Sequence, residues 1–387
     1  MTPFSKLEDK AAKIGDLYAE LESNIFKRII DAVKSTEFQS VDQQNVLLWQ
    51  AEQLNKMGLL NKQVVALLAK TTGQSEQAIT DLIQSDGMQV SNDISKECEQ
   101  LTGHHVNVSR DAQLLLNGMQ RQTFRDINNV VNQSLISTNV QDNTALQAFQ
   151  TIITKSTVET ISGLKTHDRA VFDNVYKLLD AGLKTTLIDK GGHQWSLEGY
   201  SRMVLQTTAH RTYNDVRAKG MDGYNVTLAM MSSHPAAREA CAPIQGQVVN
   251  RLPSTDPRFN KKYKSIYDYG YGEPAGTQGI NCHHILYPFV EGVSTNTMPT
   301  PPDPDKAIAN SKIQARQRLL ERNIRKDKQL IAAADKLGDA QGLEHYKHQL
   351  FNHRSLLRQH ISEHDFLHRD YSREKVVTPL AKDYVGK

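Results

Sequence analysis

Apolar residues in the first half of the chain recur at the spacing of a helix face, and this rhythm limits the fold more than any other feature. Ile14, Leu17, Tyr18, Leu21, Ile25, Ile29 and Val33 follow three- and four-residue steps, which line one side of a helix. Val46 to Met57 continues the pattern around Trp49 and predicts a helix ending at Gly58, a natural C′ residue. Asn61 is placed to cap a helix carrying Val64, Val65, Leu67 and Leu68, which Gly73 would end. Ser75 is placed to cap the next, carrying Ile79, Leu82 and Ile83. From Ala112 to Gly192 the helical rhythm persists with many Asn, Gln and Thr residues, and Trp195 to Arg217 gives one more helix. The pair Ala69–Gly73 and Ile79–Leu82 has the spacing of a DNA-binding helix-turn-helix. Its second helix would offer Glu76 and Asp81 to the duplex, with no Lys or Arg between Gln74 and Met88. Phosphate contacts need cations, so the pair reads as a packing hairpin.

Bulk properties agree with helical structure bearing much solvated surface. Over 387 residues the aromatic content is 6% and the mean hydropathy −0.53, low for a chain built around one enclosed pocket. Charge is balanced at 46 basic against 43 acidic residues, so the whole-molecule field makes no case for nucleic acid. No apolar run approaches the roughly 18–20 residues of a membrane span. The stretch from Met1 to Lys6 lacks the apolar region of a signal peptide, and folding in the cytosol is expected. Three cysteines are too few for a disulfide framework.

After Gly220 the pattern changes. Asn225 to Met231, Gln247 to Leu252 and Ile285 to Phe289 read as strands, the last at a sheet edge because of Pro288. Met298 to Asp303 is a stiff linker, and Asp303 with Pro304 at the first helical position starts a long helix. Ile313, Leu320, Ile324 and Ile331 mark its seam, and a second helix is expected over about 345–369. Arg316, Arg318, Arg322, Arg325, Lys326 and Lys328 make the first of these helices basic, a face suited to solvent, to DNA or to an acidic partner. The expected organisation is mainly α: a helical region over 1–110, a helical middle over 111–220, a small α+β module over 221–297, a linker over 298–304 and a basic helical tail over 305–387.

Chemistry-bearing residues concentrate in that module. His234, Arg238 and Cys241 fall at four- and seven-residue steps, so a short helix capped by Ser233 with Pro235 in its first turn would put all three on one side. Gly279 lets the backbone turn ahead of Asn281 and Cys282. His234, Cys241, Cys282 and His284 then make a Cys₂His₂ set fit for tetrahedral zinc, although no C-x-x-C or H-x-x-x-H spacing is present. A Cys241–Cys282 disulfide, a thiol nucleophile served by histidine, and a polar core in which Arg238, His234 and Asn281 satisfy loop groups are the competing readings. The residues leave these open, with structural zinc as the one cofactor they suggest.

The run Ser232-Ser233-His234, Arg238, Cys241 and Gln245-Gly246, followed by Tyr269-Gly270, Gly279-x-Asn281-Cys282-x-His284 and Pro288-x-x-x-Gly292, resembles the phage minor capsid family related to the Mu F-type head protein. Trp49 to Leu60, Ala69 to Glu76, and the tail Gln317-Arg318-x-x-x-Glu321-Arg322-x-x-Arg325 are similar to other parts of that family. Two positions depart from it: Pro243-Ile244 replaces the usual aromatic, and His283 stands where an Arg is usual. The resemblance implies a virion component associated with the portal vertex, acting in head assembly and in DNA packaging or ejection. It implies portal and other capsid proteins as partners, non-specific contact with packaged double-stranded DNA, no membrane and no catalysis. A nucleic-acid-acting enzyme with a zinc or thiol centre is the rival reading.

Overall fold

The computed structural model describes residues 3–188, 191–192 and 194–376. Helices α1 (Pro3–Lys34), α2 (Val46–Asn55), α3 (Met57–Thr80), α4 (Asp86–Thr102), α5 (Ser109–Ile127), α6 (Gln133–Ile136), α7 (Thr144–Ile161) and α8 (His167–Ala181) come first. A hairpin of β1 (Lys184–Ile188) and β2 (Gln194–Ser196) leads into α9 (Leu197–Gly223). Strands β3 (Leu228–Met231), β4 (Val248–Asn250) and β5 (Leu286–Phe289) precede α10 (Pro304–Leu337) and α11 (Ala340–Ser362). The chain is thus mainly helical with a small α+β module, as its periodicity predicts. The module's sheet is antiparallel in the order β4-β3-β5. Pro288 therefore lies on an edge strand, where a missing N–H is tolerated.

Three local expectations fail for identifiable reasons. Gly58 and Gly73 do not end helices, and Asn61 and Ser75 do not start them, because α3 runs unbroken from Met57 to Thr80. Leu60, Val64, Leu68, Thr71 and Ser75 are all buried, so one stripe continues through Gly73. Its burial outweighs the roughly 1 kcal/mol that an interior glycine costs. The Ser75 hydroxyl pairs with Tyr18 Oη at 2.8 Å and with the Thr72 carbonyl at 3.0 Å. With no turn there, the helix-turn-helix reading is gone. The second failure is the β1–β2 hairpin inside a stretch expected to be helical. The third is the expected short helix over His234 to Cys241, which is a series of turns.

The chain divides into two compact units. One comprises Lys13–Gln77, Phe124–Arg202 and Leu319–Lys387. In it the α1 stripe from Ile14 to Val33 is buried throughout, and Trp49 of α2 is fully enclosed beside the His167 ring, 4.4 Å between centroids. Helix starts are capped as the exposed N–H groups of a first turn require. Asn143 accepts from the Ala145 and Leu146 amides, and Thr166 from Arg169. Asp339 caps α11 at Gly342 while also receiving Tyr176 Oη at 2.8 Å and Arg169 Nη1 at 3.2 Å. Helices α10 and α11 form a hairpin across Leu320, Ile324 and Leu357, flanked by Leu350 and Ile361. Ile313 and Ile331 of the expected seam are only half-buried. Helix α11 begins before the expected residue 345 and ends before 369, and tail residues 377–387 lie outside the described ones.

The other unit comprises Met1–Ala12, Ala78–Thr123 and Met203–Arg318. Its core joins Ile94 and Cys98 of α4, Met221 of α9, Ala229, Met231, Val249 and Leu286 of the sheet, and Cys241, Ile244 and Cys282 of the loops. Helices α4 and α9 touch at Gly220, where a Cβ would come within 2.6 Å of the Ile94 side chain. Arg251 closes the end of α9 by donating to the Ala218 carbonyl at 2.8 Å and Asp222 at 2.9 Å, a cation placed where the helix dipole favours one. Among the described residues no helix is long and apolar enough to cross a membrane.

Candidate functional site

Turns, not a helix, bring Cys241 to the centre of the module. The Cys241 and Ala242 amides donate to the Arg238 carbonyl, and those of Ile244 and Gln245 to the Cys241 carbonyl. Ser233 does not cap a helix; its hydroxyl donates to the Pro299 carbonyl at 3.0 Å. Gly246 turns the chain into β4 with φ +70°, and a Cβ there would lie 2.7 Å from Pro301. Arg238 reaches the opposite loop, donating to the Ile280 carbonyl at 2.7 Å and the Pro274 carbonyl at 3.4 Å. That loop bends sharply at Gln278 and Asn281, with φ 61° and 57°. At Gly279 a Cβ would collide with the Glu273 carbonyl oxygen and come within 2.7 Å of that of Pro274. The Asn281 side chain serves the bend through its tolerance of left-handed backbone.

The two sulfurs and one imidazole meet inside. Cys241 Sγ lies 4.0 Å from Cys282 Sγ, and Cys282 Sγ lies 3.6 Å from His284 Nδ1. All three residues are buried. At 4.0 Å the sulfurs are not bonded, since a disulfide holds them at about 2.05 Å, and both are free thiols. Cys241 keeps its proton, because its hydrogen bond to Cys282 and its burial push the thiol far above the ordinary range. Cys282 is lowered well below that range, first by the same hydrogen bond, against burial, and further by His210 and His284.

His234 does not complete the set. Its Nε2 sits 3.1 Å from the His283 carbonyl and 3.4 Å from Ser232 Oγ, and its amide donates to Gln245 Oε1 at 2.9 Å. Burial, with the adjacent His284, takes its imidazole down to about 4, so it is neutral. His283, which stands where the family usually has an Arg, is exposed and pairs with Glu8 Oε1 at 2.6 Å. His210, on α9 beside Cys282, is a neighbour that sequence reasoning missed, since nothing in its spacing ties it to Cys282.

A model of the family described as phage minor capsid protein 2 matches residues 2–362. The chain belongs to the phage minor capsid protein 2 family. It is similar to a structural protein of Lactococcus phage LL-H, 46% identical over 362 residues, covering 93% of this chain and 97% of that one. It is also similar to a structural protein of Lactococcus phage mv4, 50% identical over 121 residues, which are 31% of this chain and 98% of the relative. No solved structure matches at a significant level.

In this minor capsid chain the basic tail is partly spent internally. Arg325 Nη1 donates to the Arg373 carbonyl at 2.6 Å, Lys326 pairs with Asp180, and Lys328 donates to the Glu374 carbonyl. Burial lowers both the Arg325 guanidinium and the Lys328 ammonium from their ordinary values. Arg316 and Arg322 are exposed, and Arg318 is half-buried. The continuous cationic face expected from the sequence is therefore reduced to part of its residues.

Proposed function

We propose that this minor capsid protein is a non-catalytic assembly component of the phage head, docked at the portal vertex and acting in head assembly and in DNA packaging or ejection. The module over 221–297, similar in its motifs to the Mu F type, serves as its rigid anchor. The observation that carries the reading is the burial of the module's sulfurs, 0% exposed for Cys241 and 3% for Cys282, within a chain matching a structural family along nearly its whole length. A thiol nucleophile has to meet substrate, and reactive cysteines are partly exposed. Sulfurs buried to this extent suit holding a fold together.

The partners in this reading are the portal protein and other capsid proteins. Packaged double-stranded DNA is met non-specifically through Arg316 and Arg322. Cross-linking of intact virions tests it: cross-links from this chain to the portal protein are expected. Cross-links confined to the outer shell would remove the portal assignment. Retention of the purified chain on DNA is expected to weaken steeply with salt, and retention indifferent to salt, or none at low salt, would remove the DNA contact.

A further inference from the structure

We propose that Cys241, Cys282 and His284 bind a single structural zinc ion, without the His234 that the sequence pattern adds to them. Two of the distances match those of a tetrahedron drawn around zinc. Bonds of about 2.3 Å to sulfur and 2.0–2.1 Å to nitrogen at tetrahedral angles put two thiolates about 3.8 Å apart, and a thiolate about 3.6 Å from an imidazole nitrogen. The sulfurs here are 4.0 Å apart, and Cys282 Sγ is 3.6 Å from His284 Nδ1. The ligand atoms of Cys241, Cys282 and His284 all lie within 4.8 Å of one another.

Surrounding groups orient the ligands. The His234 amide can only donate, so the Gln245 side-chain atom that it meets at 2.9 Å is the oxygen. That same oxygen lies 3.1 Å from His284 Nε2, which must then carry the ring proton. Nδ1 is left with its lone pair toward the sulfurs. This is the usual support of a metal-bound histidine, whose far nitrogen donates to an oxygen and fixes the tautomer. The two cationic or acidic neighbours that could spoil the site are occupied elsewhere: Arg238 on loop carbonyls and Glu8 on His283.

A metal here would tie the turns after Arg238 to the loop after Gly279 at one point. A module of this size gains most from such a staple. The inference does not rest on the portal assignment, and either can fail without the other.

The test uses the full chain purified under reducing conditions, with zinc and then Co²⁺ as probes. About one equivalent of zinc is expected, with X-ray absorption reading two sulfur neighbours and at least one nitrogen neighbour, and Co²⁺ giving a two-thiolate spectrum. His284→Cys is expected to convert that spectrum to a three-thiolate one, whereas His234→Cys leaves it unchanged. His234→Ala and Cys98→Ser are expected to keep one equivalent, and Cys282→Ser to fall below about a tenth of it. Binding of neither metal by the reduced wild type overturns the proposal. So does a third thiolate signal from His234→Cys and not from His284→Cys.

Discussion

Replacing Arg217 by alanine should loosen one edge of the module more than any other single polar change. Arg217 is 2% exposed and pairs its charge with Glu97. Its Nη1 and Nη2 donate to the two Glu97 oxygens at 3.0 and 2.7 Å, and Nε donates to the Leu286 carbonyl at 3.4 Å. The guanidinium also lies 5.3 Å from the ring centres of both Tyr213 and Tyr287. It thereby fastens α4 and α9 to β5. Breaking a buried pair costs about 3–5 kcal/mol, and loss of the tyrosine contacts adds about 1. The Glu97 side chain, however, is 42% exposed and regains hydration, so about 3 kcal/mol is the expected loss. That is roughly a 150-fold change in an opening equilibrium. Hydrogen exchange of the full chain should show protection of Leu286 to Phe289 falling by about two orders of magnitude, with a smaller fall in Glu97→Gln. Protection within about threefold of wild type in Arg217→Ala would refute the reasoning.

Three further outcomes follow from other positions. Glu22 is buried and accepts from the Leu183 amide at 2.5 Å and the Glu198 amide at 3.2 Å, and burial with the Glu198 charge raises its carboxyl to about 7. A raised carboxyl stabilises the fold fully below its unfolded value of about 4.5, and that stability is lost as pH climbs through about 7; the shift amounts to about 3 kcal/mol. Urea midpoints should therefore fall between pH 5 and pH 8 more in wild type than in Glu22→Gln, and equal falls would exclude the carboxyl as the cause. Gly279→Ala should prevent the module from folding, because its Cβ has carbonyl oxygens where it would sit. Gly73→Ala, with nothing within 4 Å of the new atom, should raise the midpoint of thermal unfolding by an amount worth about 0.5–1 kcal/mol.

How much of this was legible in the sequence depended on whether a feature was local. The α1 stripe, Pro304 at the start of α10, and the edge position of Pro288 each follow from a few adjacent residues, and each is found. The break at Gly73 fails because the stripe on either side was in phase, and continuous burial overrides one glycine. The β1–β2 hairpin had a signal that was passed over: Lys184-Thr185-Thr186-Leu187-Ile188 is rich in β-branched residues and Gly191-Gly192 follows. Cys241, Cys282 and His284 could be grouped because each sits in a distinctive motif. His234 could not be set apart from them, since only tertiary packing turns its ring to the His283 carbonyl. The internal partners of Arg325, Lys326 and Lys328 were hidden for the same reason, as Asp180 and the carbonyls of Arg373 and Glu374 are distant in sequence.

The claim on which the rest depends is that this chain is built into the phage particle as a minor structural part. Quantitative mass spectrometry of gradient-purified virions measures that directly. The account predicts the chain in every preparation at a small fraction of the major capsid protein's copies; its absence from infectious particles, with abundance only in the lysate, would contradict it.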